Sequence, residues 1–181
     1  MRRLRDAPEL AGQVTATERD DRTETAQFLV FRLGTELFGL PISAVDEVAR
    51  VPERISRLPN APKFLEGVVN LRGDVLPVID QRKRFGLPAD GSRAGQRLIV
   101  VRSDRHRAGL VVDEVSEVLR SSPGAIEPAP ELIAGANSLV NGVINLPDRG
   151  RMVLLLEAGA LLSEAEHELL EGLQITDQAG V

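Results

Sequence analysis

The chain has no cysteine, no tryptophan and no tyrosine, and among its 181 residues it carries five phenylalanines and two histidines. Without cysteine there can be no disulfide, no thiolate nucleophile and no thiolate-ligated metal. His106 and His167 stand far apart and offer no metal-ligand spacing. His106 lies in the polar run Arg102-Ser103-Asp104-Arg105-His106-Arg107 and reads as a hairpin tip, and His167 as part of a polar helix face. Aromatic residues are 3% of the chain, too few to make base-stacking platforms, and a net charge of -5 opposes tracking along a phosphate backbone. Nucleic acid is therefore excluded as a partner. No apolar run reaches the ~18 residues of a membrane span. The basic start Met1-Arg2-Arg3-Leu4-Arg5-Asp6 is not followed by an apolar segment of signal-peptide length. The expectation is a cytoplasmic protein with no direct membrane insertion. No phosphate-cradling glycine motif of P-loop or dinucleotide type occurs, so no cofactor is expected.

What the chain does have is a pattern that runs through twice. Gly39-Leu40-Pro41-Ile42-Ser43-Ala44-Val45-Asp46-Glu47-Val48 lies over Gly109-Leu110-Val111-Val112-Asp113-Glu114-Val115-Ser116-Glu117-Val118 without a gap. Gly67-Val68-Val69-Asn70-Leu71 matches Gly142-Val143-Ile144-Asn145-Leu146, and Val75-Leu76-Pro77-Val78-Ile79-Asp80 matches Met152-Val153-Leu154-Leu155-Leu156-Glu157. The spacing between copies grows slightly along the chain, as loop insertions between fixed strands would make it. The fold class is thus mainly β, a pseudo-symmetric pair of small barrels. With 43% hydrophobic residues, the two copies can share one sizeable core and form one body.

The coarse map follows from the breakers. Residues 1–26 mix both charges with no aromatic side chain, and read as a disordered tail. A first barrel is expected over about 27–87, a second over about 96–162 with strands open to exchange between them, a helix over 163–172, and a flexible end over 173–181. The helix is placed by Ser163 as its cap with Glu166 reaching back, and by Gly172 as its stop. Its buried stripe is Leu161, Leu162, Ala165, Leu169 and Leu170. Gln27 to Leu33 and Leu37 to Leu40 form one hairpin. Val68 to Leu71 and Val75 to Ile79 form another, with Gly73-Asp74 at the centre of a II′-type turn. Pro62 to Glu66 reads as one helical turn stopped by Gly67, and a similar piece follows Asp80 and ends at Gly86. Pro88 to Gly95 separates the copies, and Pro123 to Asn137 reads as loose.

Few residues offer chemistry. Asp46-Glu47 and Asp113-Glu114 are the obvious candidates for a paired acid and base, but strand neighbours point to opposite faces and no nucleophile or base completes a site. Enzymatic activity is not expected. Arg82-Lys83-Arg84 reads as a solvated face, with docking on an acidic partner surface as the other reading. Arg72, next to the hairpin glycine, has five donors on a permanent charge and could pair with a carboxylate or with carbonyls.

Taken together, Phe28-Leu29-Val30-Phe31, Phe38-Gly39-Leu40-Pro41-Ile42, Val45-Asp46-Glu47-Val48, the run Gly67-Val68-Val69-Asn70-Leu71-Arg72-Gly73, Val75 to Asp80, and Gly109 to Asp113 through Asn141-Gly142 resemble the CheW family of chemotaxis coupling proteins. The resemblance spans about residues 27–170. It implies two SH3-like five-stranded barrels about a pseudo-twofold axis. The implied role is that of a non-enzymatic scaffold joining a chemoreceptor's cytoplasmic tip to the regulatory domain of a CheA-type histidine kinase, monomeric alone and working in arrays. A groove between the barrels would take the receptor's helical tip and a barrel end the kinase domain. It also implies that Val45, Glu47, Gly67, Asn70, Arg72 and Gly73 belong to the receptor- and kinase-facing surface. On that reading Val45→Glu removes receptor binding and leaves the melt near wild type. The same fold occurs in the kinase's own regulatory domain and in CheV-type proteins, but the chain has neither an ATPase region nor room for a receiver domain. A module serving a pilus-linked or surface-sensing array, or a barrel pair repurposed for another partner, is the alternative. The long tail departs from the family's short amino terminus.

Overall fold

A computed structural model describes residues 25–88, 94–131, 139–165 and 167. Eleven strands carry the described fold: β1 (Ala26–Leu33), β2 (Glu36–Pro41), β3 (Val45–Arg50), β4 (Leu65–Leu71), β5 (Asp74–Asp80), β6 (Arg97–Arg102), β7 (Arg107–Val112), β8 (Glu114–Ser121), β9 (Ile126–Glu127), β10 (Val140–Leu146) and β11 (Arg151–Leu156). They form two sheets, one of six strands in the order β8-β1-β2-β11-β10-β9 and one of five in the order β3-β6-β7-β5-β4. These are the two SH3-like barrels.

The halves of the chain are not the barrels. The six-stranded barrel takes β1 and β2 from the first copy and β8 to β11 from the second, while the five-stranded barrel takes β6 and β7 from the second and β3 to β5 from the first. Replacing each strand by its sequence counterpart turns β8-β1-β2-β11-β10 into β3-β6-β7-β5-β4, so the exchange is reciprocal. Each barrel has one parallel contact, β2 with β11 and β5 with β7.

Strand alternation decides how the core divides. On β1, Phe28 and Val30 fill the six-stranded barrel, while Leu29, Phe31 and Leu33 face the other way into the shared interface. On β6, Leu98 and Val100 fill the five-stranded barrel and Ile99 and Val101 face the interface. Both faces are buried, which is why these runs are continuously apolar. Phe38 stacks between Phe31 and Phe85, with centroids 5.9 and 5.2 Å away, so three of the five phenylalanines form one column in that interface.

The local expectations differ from the structure at five places. Pro62 to Glu66 is a turn closed by Leu65 N–H donating to Pro62 O at 3.0 Å, and β4 begins at Leu65, because pairing with Ile79 is available there. The stretch after Pro123 contains β9, which adds a sixth strand by pairing with β10. The C-terminal helix opens at Ala158 rather than Ser163, since β11 ends at Leu156 and Leu161 N–H donates to Glu157 O at 3.0 Å. Ala158, Leu161 and Leu162 bury its near side. The turn at Gly73 and the run Arg82-Lys83-Arg84 are the other two, treated with the site below. The stop at Gly172, the cap partner Glu166, the stripe residues Leu169 and Leu170, the 173–181 end and nearly all of the 1–26 tail lie outside the described residues.

Candidate functional site

Two contacts bridge the edges of the five-stranded barrel, from β3 and the segment after it to β4 and its turn, and form a seam. At one end Ser56 and Val68 exchange both backbone hydrogen bonds, at 2.9 and 2.8 Å. This contact is possible because Gly67, at φ +147°, has no side chain: a Cβ there would lie 2.1 Å from Ser56 O. At the other end an ion pair crosses the seam, with Arg72 Nη1 3.3 Å from Glu47 Oε2.

Arg72 is held by its turn. Leu71 pairs with Asp74, so the two-residue loop is Arg72-Gly73, and both have positive φ, +53° and +89°. That is the I′ pattern, not the II′ turn centred on Gly73-Asp74. Asn70 Oδ1 accepts from Gly73 N–H at 2.9 Å and fixes the loop. A non-glycine residue in the left-handed region costs roughly 1 kcal/mol. An arginine tolerated there, with its side chain 80% exposed, sits in a conformation that stability did not select.

Of the sequence-predicted residues, Glu47, Arg72, Asn70 and Gly73 therefore meet at one hairpin tip, and Gly67 closes the barrel further along the seam. Val45 is apart from them in character. It is half-buried, pairs with the fully buried Val101 and packs against the shared core. Val45→Glu is accordingly expected to lower stability by about 2 kcal/mol, or roughly 4–8 °C in a circular-dichroism melt. A melt within 1 °C of wild type would return Val45 to the surface.

The β3 ladder shifts register between Val45 and Glu47, which leaves Asp46 without a ladder partner. Asp46 accepts from Arg107 Nε at 2.9 Å and lies 3.0 Å from Arg102 Nε, and Arg107 also reaches Asp74 at 2.7 Å. The pair Asp46-Glu47 is thus split between two ion-pair systems.

Strand pattern alone does not mark two exposed apolar residues on the strands that carry these side chains. Val48 on β3 and Val75 on β5 are both exposed, Val75 by 68%. The second copy repeats the arrangement: Arg149 in the β10–β11 turn pairs with Glu117 on β8, and Val118 and Met152 are exposed. Glu117 is the repeat counterpart of Glu47, Val118 of Val48 and Met152 of Val75. The repeat could have revealed this, had exposed and buried valines been separable by sequence.

Arg82-Lys83-Arg84 is not a free solvated face. The short helix Gln81–Arg84, capped by Asp80 accepting from Lys83 N–H at 3.2 Å, aims the three cations at protein partners. Arg82 makes a bidentate pair with Asp113 at 2.6 Å, Lys83 pairs with Glu66, and Arg84 lies over the Phe64 ring at 5.0 Å. Asp113 also accepts from Gly34 N–H at 2.7 Å and lies 3.8 Å from Arg32. Arg32 and Gly34 belong to one barrel and Arg82 to the other, so Asp113 ties the two together. Burial opposes its ionisation, but the bonds from Arg82 and Gly34 and the nearby guanidinium charges outweigh it and hold the carboxyl below the usual carboxylate range. Among the described residues no three His, Asp or Glu are grouped as metal ligands, and no helix is long and apolar enough to cross a membrane.

Residues 27–166 match the family profile described as the CheW-like domain. The chain is 34% identical over 155 residues to the chemotaxis protein CheW of Helicobacter pylori, covering 85% of this chain and 93% of that one. It is 34% identical over 141 residues to protein FrzA of Myxococcus xanthus, covering 77% and 86%. Among solved structures it is similar to the scaffolding protein TtCheW from Thermoanaerobacter tengcongensis, at 38% identity and a TM-score of 0.65, covering 72% of this chain and 88% of that one.

Proposed function

This chain belongs to the CheW family, and we propose that it is a non-catalytic scaffold that couples the cytoplasmic tip of a chemoreceptor to the regulatory domain of a CheA-type histidine kinase. The proposed contact surface is the hairpin tip of Asn70, Arg72 and Gly73 with Glu47 beside it, supported by Gly67 and bordered by Val45. The observation that carries this reading is Arg72 itself. It is held in a left-handed turn by Asn70, is largely exposed and pairs with Glu47, while the exposed Val48 follows Glu47 on β3 and the exposed Val75 pairs with Asn70 across the hairpin, so a charged donor and exposed apolar side chains share these two elements. Such a mix suits a modest protein interface, where apolar anchors provide binding energy and charges set orientation. The repeat of the arrangement at Glu117, Arg149, Val118 and Met152 supports a scaffold with two matched ends, whose individually weak contacts add up in an array.

Isothermal titration against the kinase regulatory domain, and separately against a receptor-tip fragment, tests the proposal. Wild type is expected to bind both in the micromolar range. Arg72→Gly and Arg72→Ala are expected to weaken at least one by tenfold or more. Arg72→Gly relieves roughly 1 kcal/mol of backbone strain and loses an exposed ion pair of about 0–1 kcal/mol, so its melt should stay within about 3 °C of wild type. Unchanged binding of both partners by a folded Arg72→Gly variant would sink the proposed contact surface, and failure of wild type to bind either would sink the coupling role.

A further inference from the structure

A second feature lies away from the Arg72 tip and is unused by the proposed function. A cavity of about 330 Å³ opens between β5, the β6–β7 hairpin and the C-terminal helix. Its floor is apolar, made by Phe64, Ile79, Ala108 and Leu162, all buried, and Ala165 forms part of the helix wall. The charged side chains lining it are cationic, and no carboxylate lines it. Arg107 is committed to Asp46 and Asp74. Arg105, in the same hairpin, is exposed and makes no ion pair among the described residues.

We propose that this cavity is a binding site for a small amphipathic anion, whose hydrocarbon tail lies on Phe64, Ile79, Ala108 and Leu162 and whose anionic head meets Arg105 at the mouth. The cavity's size suits a small molecule. Small-molecule sites begin at roughly 300 Å³ and combine an apolar lining with a few polar groups that fix orientation. The sign of the rim selects the head group, because a cation there would face Arg105 with no carboxylate to offset the repulsion.

The test is calorimetric titration of the full chain with octanoate, octylammonium and octan-1-ol, which share a tail and differ in head charge. Octanoate is expected to saturate one site, with octylammonium at least tenfold weaker and octan-1-ol between them. Arg105→Glu, on an exposed hairpin, should reverse the order of the two ions. Ala165→Trp should fill the cavity and remove octanoate binding with the melt unchanged. Equal affinity for both ions, absence of saturable octanoate binding, or an order unaffected by Arg105→Glu would each overturn the assignment. The kinase and receptor titrations above do not bear on it, so the two readings fail separately.

Discussion

Gly67→Ala is expected to destabilise the protein by about 3–5 kcal/mol, lowering the melting temperature by roughly 10 °C. Two effects add. The position has φ +147°, a region essentially reserved for glycine, and the new methyl group would sit 2.1 Å from Ser56 O and 2.8 Å from Ser56 C. Its neighbour there is backbone, so no side-chain rotation relieves the clash. The segment before β4 must move away, and the two Ser56–Val68 hydrogen bonds that close the seam are lost with it. Thermal unfolding by circular dichroism measures the effect, and a shift under 3 °C would contradict it. A loss of partner binding in this variant would follow from an open seam. It would not make Gly67 a contact residue, whereas Arg72→Gly, with its preserved melt, separates contact from fold.

Asp113→Ala is expected to cost roughly 3 kcal/mol, because it leaves Arg82, 13% exposed, without its bidentate partner and Gly34 N–H without its acceptor. Asp113→Asn, which can still accept from Gly34, should cost less, about 1–2 kcal/mol. The pH dependence distinguishes the charge from the packing. Asp113 has a folded pKa below its unfolded value, so its contribution is fully present above about pH 4 and is lost as pH falls through the lowered folded pKa. Asp80 works in the opposite sense. Burial first, and then the charge of Glu66, raise its pKa above the usual value against the pull of Lys83. Its ionisation weakens the fold as pH rises through the raised value. Denaturant midpoints measured between pH 2.5 and 7 should therefore show the Asp113→Ala penalty shrinking below pH 4. A penalty constant over that range would mean that cavity formation dominates.

Much of the fold was legible because the repeat is written in apolar runs and glycines, which mark strands and turns locally. Val68 to Leu71 and Val75 to Ile79 could be placed as a hairpin from their own residues, and so could Phe28 to Leu40. Pairing across distance was not legible: nothing in Leu37 names Val153 as its neighbour, so the reciprocal exchange could be allowed for but not assigned. The turn lies one residue earlier than the sequence suggests, because glycine is the natural occupant of a positive φ and register alone moves the second such position onto Arg72. Ser163 offered a good cap, yet the end of β11 set the helix start earlier. For the site, Arg72 and Glu47 were both singled out, but their contact joins a turn to the far edge of the barrel and exists only in three dimensions. The partners of the cations at 82–84 are hidden from the sequence for the same reason, since Asp113 and Glu66 are distant along the chain.

The reciprocal exchange of strands also bears on how the chain acquires its shape during synthesis. β2 lies beside β11, and β1 beside β8, so the six-stranded barrel lacks interior neighbours until nearly the whole polypeptide has emerged from the ribosome. The five-stranded barrel needs nothing beyond β7 and can close first. The nascent protein thus has a built-in order, an early barrel serving as template and a late one completed around β1 and β2. Until then, the apolar faces of those two strands are what a chaperone would meet.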